Sequence, residues 1–176
     1  MENNIVLIGY MGCGKSSVGR MLATQNNMDF MDLDDYIESK EAKSIKDIFT
    51  DKGEVYFRKI EKKYLIECLE QYSNTVLSLG GGTPCFGNNM ELVLQAKNAS
   101  SVYLQTSIGE LSNRLFDQRA KRPLIAHTNT KEELSEFIAK HVFERLNFYA
   151  QAVFKVITDA KTLAEVVTEI ETNIKA

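Results

Sequence analysis

Gly9-Tyr10-Met11-Gly12-Cys13-Gly14-Lys15-Ser16 fits the spacing G-x-x-x-x-G-K-[ST]. The chemistry this spacing permits is polyphosphate binding. Small residues let consecutive backbone N–H groups turn inward around phosphate oxygens, and a helix starting near Lys15 would add its positive end. Lys15 supplies a charge on a flexible stem for the outer phosphates, and the Ser16 hydroxyl suits a Mg²⁺ ion. The alternative is a plain strand–turn–helix connection whose glycines serve only the turn.

Further residues of chemical interest follow. Asp32, Asp34 and Asp35 end an apolar run, Phe30–Leu33. If strand geometry continues, Asp32 and Asp34 point to one side. One would then hold a metal-bound water and the other a substrate hydroxyl; as the alternative, the acids cap a helix over Tyr36–Lys40, a role that suits Asp35. Arg58 stands three residues before Glu61 on an expected helix, and Arg145 four before Tyr149. A guanidinium fork matches a carboxylate, so the two arginines suggest an acid substrate, although each alone also fits a surface ion pair. Arg119-Ala-Lys-Arg122-Pro123-Leu124 is a basic stretch between helices that fits either a lid over a transferred phosphate or an exposed loop. Gly80-Gly81-Gly82 closes the apolar run Thr75–Leu79 and allows backbone to approach a ligand closely. No Asp ends that run, so a Walker B carboxylate is missing there; Ser78 stands within reach of a metal's water shell or faces a helix.

These residues need a scaffold. Strand-length apolar runs recur at Ile5–Ile8, Phe30–Leu33, Thr75–Leu79, Ser101–Leu104 and Val153–Ile157. Helical spacing lies between them at Lys15–Gln25, Glu54–Tyr72, Asn89–Ala96, Ile108–Phe116, Lys131–Tyr149 and Leu163–Ile174, with Thr130 and Thr162 as N-caps. Alternation of this kind predicts an α/β fold, a parallel sheet with helices on both faces. Ligands bind such sheets at the carboxyl ends of the strands, where both glycine clusters begin.

The 176 residues fit one domain, with 44% hydrophobic and 26% charged residues. A net charge of −3 without a long basic run gives no footprint for nucleic acid. Cys13, Cys68 and Cys85 have no paired or zinc-type spacing, which fits reduced thiols in a cytoplasm. The opening Met-Glu-Asn-Asn has no basic n-region, and the run Ile5–Ile8 is too short for a signal or a membrane span. A cytoplasmic location is expected. His127 and His141 read as a loop and a helix-surface residue rather than as bases.

The set Gly9–Ser17, Asp32-Leu-Asp34, Ile48-Phe49 with Gly53-Glu54, Phe57-Arg58 with Glu61, Leu79-Gly80-Gly81-Gly82, Arg122-Pro-Leu and Arg145 with Tyr149 resembles the shikimate kinases in order and spacing across the whole chain. The resemblance implies a three-layer P-loop kinase fold, its five-stranded parallel sheet in order 2-3-1-4-5. It implies one domain over 1–176, with a substrate-binding region at about 33–61 and a lid at about 117–127. Gly12, Cys13, Gly14, Lys15, Ser16 and Ser17 then match the ATP phosphate loop, Arg114 an adenine contact and Arg122 the lid arginine. Asp34, Arg58, Gly80 and Arg145 match shikimate-binding positions, with Phe57, Glu61, Gly81 and Gly82 lining the same pocket. Ser16 and Asp32 match the contacts to one Mg²⁺. Lys15, Asp34 and Arg122 would be the catalytic residues.

The implied reaction is transfer of the ATP γ-phosphoryl to the 3-hydroxyl of shikimate, in chorismate and aromatic amino-acid biosynthesis. No nucleic-acid or membrane partner and a monomer are expected. Cys13 stands where serine or alanine is usual; its thiol either reacts, beside Lys15, or packs inertly behind the loop. Alternatives are a gluconate-type P-loop kinase and a nucleotide-binding module without turnover.

Overall fold

Asn4–Ile8 forms the central strand, β1, and all five of its residues are buried. Burial on both faces explains why the segment reads as a continuous apolar run rather than an alternating one. In the computed structural model, which describes residues 3–175 and not the side chain of Lys121, five parallel strands line up in the order β2-β3-β1-β4-β5. The others are β2 (Asp29–Asp32), β3 (Thr75–Ser78), β4 (Ala99–Gln105) and β5 (Phe154–Ile157). Among the described residues, seven α-helices flank the sheet: α1 (Lys15–Gln25), α2 (Leu33–Glu41), α3 (Ile45–Gln71), α4 (Asn89–Gln95), α5 (Ile108–Phe116), α6 (Lys131–Tyr149) and α7 (Leu163–Lys175). Of the expected opening and single 1–176 span, Met1, Glu2 and Ala176 lie outside the described residues.

β1 pairs with β3 on one side and β4 on the other, with Val6 opposite both Leu77 and Ser101. The loop after β1 therefore opens where the strand order reverses, the place such sheets reserve for ligands. On α1, Gly19 lets the helix lie close to β2, since a Cβ there would sit 2.4 Å from the Phe30 ring.

Three expectations change at element ends. The run Phe30–Leu33 stops being strand at Asp32, because the Asp32 carboxylate caps the next helix, accepting from the Asp34 N–H at 3.0 Å. Asp34 therefore sits in the first turn of α2 rather than on a continuing strand, and the cap is Asp32, not Asp35. The helix itself runs Leu33–Glu41, longer than Tyr36–Lys40.

The third change is in α3. It begins at Ile45, nine residues before the expected start at Glu54, capped by the Ser44 hydroxyl accepting from Asp47 N–H at 3.1 Å. Gly53, at φ 78 and ψ 175, breaks it into two limbs. That backbone conformation suits only glycine, so the apolar spacing restarts at the break.

The 117–127 segment, expected as a long loop, carries a 3₁₀ turn at Arg119–Lys121 and is pinned by the fully buried Ile125. Thr128 donates its hydroxyl to the Ile125 carbonyl at 2.8 Å. Thr130 caps α6 as expected, accepting from Glu133 N–H at 3.1 Å, and Thr162 accepts from Glu165 N–H at 3.3 Å.

Candidate active site

A cleft of about 740 Å³ opens at the carboxyl ends of the strands. Gly12, Cys13, Gly14, Lys15, Ser16 and Ser17 form its floor, and Asp32, Asp34, Gly80 and Gly81 one wall. Arg114 and Arg122 reach it from the opposite side.

The phosphate loop turns through Gly14 at φ 100, which is also the N-cap of α1. Lys15 opens the helix and is folded onto its own loop: Nζ donates to the Gly9 carbonyl at 2.8 Å and the Tyr10 carbonyl at 3.1 Å. Cys13 is only 2% exposed, its sulfur 3.7 Å from Lys15 Nζ. The thiol is thus turned into the fold, the packed alternative of the two expected for it.

The Ser16 hydroxyl donates to Asp32 Oδ2 at 3.3 Å, while Oδ1 is engaged in the helix cap. One carboxylate therefore serves both the fold and the cleft, so capping and site roles do not exclude each other. Asp34 lies against the glycine triplet: a Cβ on Gly80 would come 3.0 Å from its Oδ1. Burial, then Asp32 and Glu61, push the Asp34 carboxyl up to about 7 despite the pull of Lys15. A carboxyl balanced near neutrality is a stronger base than an ordinary carboxylate and is still part ionised at neutral pH, which suits it to accept a proton from a hydroxyl.

On the far side of the triplet lies the candidate acid clamp. Glu61 is 1% exposed and accepts from Arg58 at 2.8 Å and from the Thr83 hydroxyl at 2.7 Å. The Arg58 guanidinium lies 3.6 Å from the Phe86 ring centre and close to Gly82, where a Cβ would meet it at 3.4 Å. Phe57, 3% exposed, stacks on Phe49 below. Arg145 comes from α6, 5.5 Å over the Tyr10 ring. Burial pushes the Cys85 thiol up to about 11 although Arg145 and Arg58 both pull it down, which places Cys85 within the field of both guanidiniums. The structure thus gathers Asp34, Arg58, Glu61, Gly80, Gly81, Gly82 and Arg145 around one turn.

Arg114 pairs with Glu110 at 2.7 Å and donates to the Gly12 carbonyl at 3.3 Å. Arg122 leans on Gln118, its two donors 3.3 and 3.0 Å from Oε1. His127 is an exposed loop residue as expected; His141 is a partly exposed residue of α6, and it also bonds the Tyr10 hydroxyl at 3.3 Å.

Sequence reasoning missed two groups. Thr158, Lys161, Leu163 and Val166 line the cleft beyond β5; their signal was position alone, just past a strand's carboxyl end. Thr83 and Phe86 support Arg58 from the turn after the triplet, and only their nearness to Gly82 pointed to them.

A phosphate loop between β1 and α1, on a parallel sheet in this order, with arginines facing it from the α5–α6 side, defines a P-loop kinase. The family model for shikimate kinase matches residues 11–175. The shikimate kinase of Flavobacterium johnsoniae is 48% identical over 94% of this chain and 95% of its own length. Among solved structures, the shikimate kinase from Bacteroides thetaiotaomicron superposes with a TM-score of 0.87, at 33% identity and 99% coverage of both chains. The shikimate kinase from Acinetobacter baumannii in complex with shikimate gives 0.84 at 31% identity, covering 98% of this chain and 93% of that one. The chain belongs to the shikimate kinase family, ATP-dependent small-molecule kinases. The gluconate-type alternative falls with that assignment.

Proposed function

We propose that the protein transfers the γ-phosphoryl of ATP to the 3-hydroxyl of shikimate, releasing shikimate 3-phosphate and ADP, in chorismate and aromatic amino-acid biosynthesis. The observation that carries the reading is the glycine triplet, with Asp34 against Gly80 and Arg58 against Gly82. An acid substrate held by Arg58 and Arg145 would lie with its ring over the triplet and a hydroxyl toward Asp34. Gly81, Phe57 and Glu61 complete that pocket.

Gly12, Cys13, Gly14, Lys15, Ser16 and Ser17 would cradle the ATP phosphates, largely through backbone N–H groups. Arg114 would pack against the base, and Arg122 would reach the phosphates from the lid at about 117–127. Lys15 must exchange its loop carbonyls for phosphate oxygens, a swap that costs little because both partners are hydrogen-bond acceptors. Catalysis would come from positioning and from positive charge around the transferred group, supplied by Lys15 and Arg122, with Asp34 taking the hydroxyl proton.

One Mg²⁺ fits the donors present. Ser16 and Asp32 offer a hydroxyl and a carboxylate oxygen side by side, the hard ligands this ion takes together with water and phosphate. No cluster of three His, Cys, Asp or Glu that could form a cage stands among the described residues, so phosphate oxygens would complete the set. When bound, the ion would offset charge on the phosphates.

The same reading treats the chain as one P-loop kinase domain with a substrate-binding region at about 33–61, working as a cytoplasmic monomer without nucleic-acid or membrane partners. Among the described residues, no helix is long and apolar enough to cross a membrane. ADP release measured with and without shikimate tests the assignment. Release that depends on shikimate supports it; ATP binding without turnover would instead indicate a nucleotide-binding module.

A further inference from the structure

Phe137, His141, Arg145 and Tyr149 recur at every fourth position of α6. Residues at that spacing share a helix face, and here the face meets three parts of the site in succession. Phe137 stands edge-on to His127 of the 117–127 segment, ring centres 5.0 Å apart. His141 packs on Phe137 at 4.3 Å, and its Nδ1 lies 3.3 Å from the Tyr10 hydroxyl. Arg145 rests over the Tyr10 ring. Tyr149 donates its hydroxyl to the Gly81 carbonyl. Both histidines of the chain therefore belong to a single row running from the lid segment to the phosphate loop.

Tyr10 occupies the first x of the G-x-x-x-x-G-K-[ST] pattern and is 2% exposed. A buried hydroxyl needs an acceptor for its proton, and His141 Nδ1 is the group in place to be one. Tyr10 in turn forms the surface on which Arg145 lies. Arg145 and His141 thus meet on the same ring.

We infer that His141 is a positioning residue for the acid clamp: in its neutral form it fixes Tyr10 and adds no second positive charge beside Arg145, keeping that guanidinium set for the substrate carboxylate. The inference rests on the reading of Arg145 as a carboxylate ligand. The groups facing His141 are Tyr10 from the phosphate loop, Lys140, Glu144, Arg145 and Phe137 from α6, and His127 across Phe137. Burial, then Arg145, with Lys140 adding to them against Glu144, hold its imidazole below the usual histidine range. Its neutral form is therefore favoured, and it takes up a proton only at lower pH than an ordinary histidine. Protonation makes both ring nitrogens donors. The Tyr10 hydroxyl must then accept instead of donate, its own proton loses the acceptor, and a cation appears one helical turn from Arg145.

The test compares wild type with His141→Asn, whose carboxamide can meet the Tyr10 hydroxyl near the place of Nδ1 but does not titrate. KM for shikimate and for ATP and kcat would be followed from about pH 8 to about pH 5, reaching below the usual histidine range. The expected result is a shikimate KM that rises about fivefold more in wild type than in His141→Asn over that range, with the ATP KM of the two enzymes changing in parallel. Titration of Asp34 is common to both enzymes and cancels in the comparison. His141→Phe, which leaves the Tyr10 hydroxyl without a partner, should raise the shikimate KM roughly fivefold at every pH. Arg145→Lys separates the two layers of the inference. An unmoved shikimate KM in Arg145→Lys overturns the clamp reading itself. A raised KM there, together with superimposable pH profiles for wild type and His141→Asn, overturns the role of His141 alone.

Discussion

Arg58 is held by Glu61, its donor 2.8 Å from a carboxylate oxygen of a side chain that is 1% exposed. The other oxygen of that carboxylate takes the Thr83 hydroxyl, so both are used. A buried carboxylate with this much engagement keeps one edge of the Arg58 fork occupied and aims the rest of the guanidinium along the Phe86 ring toward Gly82.

Arg58→Lys should raise the shikimate KM by roughly tenfold or more and leave ATP binding nearly unchanged, because a point charge cannot reproduce a planar fork. Glu61→Ala should cost about 1–3 kcal/mol in denaturant unfolding, since it strips the Thr83 hydroxyl of its acceptor and leaves Arg58 with Glu54 as its remaining ion-pair partner. Titration of both ligands on Arg58→Lys checks the first; equal weakening of ATP and shikimate would remove Arg58 from the clamp.

Asp34 sets the expected pH dependence. Its carboxyl is pushed up to about 7 by burial and by its acidic neighbours. Turnover that needs the carboxylate should fall as pH drops below about 7. The stability effect has the opposite sense. The folded state holds a proton there that the unfolded chain has already lost above its ordinary carboxylate range, so this residue favours folding in acid and opposes it as pH rises through about 7. Asp34→Asn should therefore gain on the order of 2 kcal/mol in unfolding free energy near pH 8, while kcat falls at least about a hundredfold. Loss of stability in Asp34→Asn at that pH would show the carboxylate to be well accommodated in its charged form.

What the sequence made legible follows from the range of the interactions involved. The phosphate loop is contiguous, and backbone rules decide its shape within eight residues, so its strand and helix flanks were readable to the residue. Parallel strands buried on both faces gave clear apolar runs. The limb 45–52 was not readable, because Gly53 interrupts the periodicity just where a third turn would have established it. The choice between Asp32 and Asp35 as cap turned on where β2 stops, which is set by pairing with β3 and not by local spacing. Thr83 could not be read at all: its partner Glu61 is 22 residues away and on another element. The contact of His141 with Tyr10 was hidden for the same reason, its partner lying 131 residues away.

The lid segment should not move as one piece. Ile125 is fully buried and Thr128 is 4% exposed, so the 125–128 end is anchored, whereas Gln118, Pro123 and Leu124 are exposed. Closure over bound ligands should then hinge near Ile125. Amide hydrogen exchange measured with ADP and shikimate together should slow across about 117–124 and change little at 125–128. Exchange unchanged in the first part would remove the lid from the mechanism, and equal slowing throughout would remove the anchor.

The last prediction concerns Cys13, which sits inside the phosphate loop next to Lys15. Its neighbourhood has what commonly makes a thiol reactive, a helix start and a lysine, yet the side chain is turned inward. A Cβ on Gly9 would come 2.9 Å from its sulfur, and 2% exposure leaves almost no path for a reagent. Reactivity requires attack on an accessible sulfur, so burial prevails over the favourable charge. Cys85, which is half-buried, is the more accessible thiol but is disfavoured by a pKa pushed up to about 11. Treated with a small alkylating reagent at neutral pH, wild type and Cys13→Ser should lose activity at the same slow rate, within about twofold, with or without MgADP. Modification of Cys13 in intact folded protein, found by peptide mass mapping and suppressed by MgADP, would mean that the loop opens enough to present the sulfur. Cys13→Ser should still turn over, falling less than about threefold, because the phosphate cradle is built from backbone N–H groups and serine keeps the side chain small.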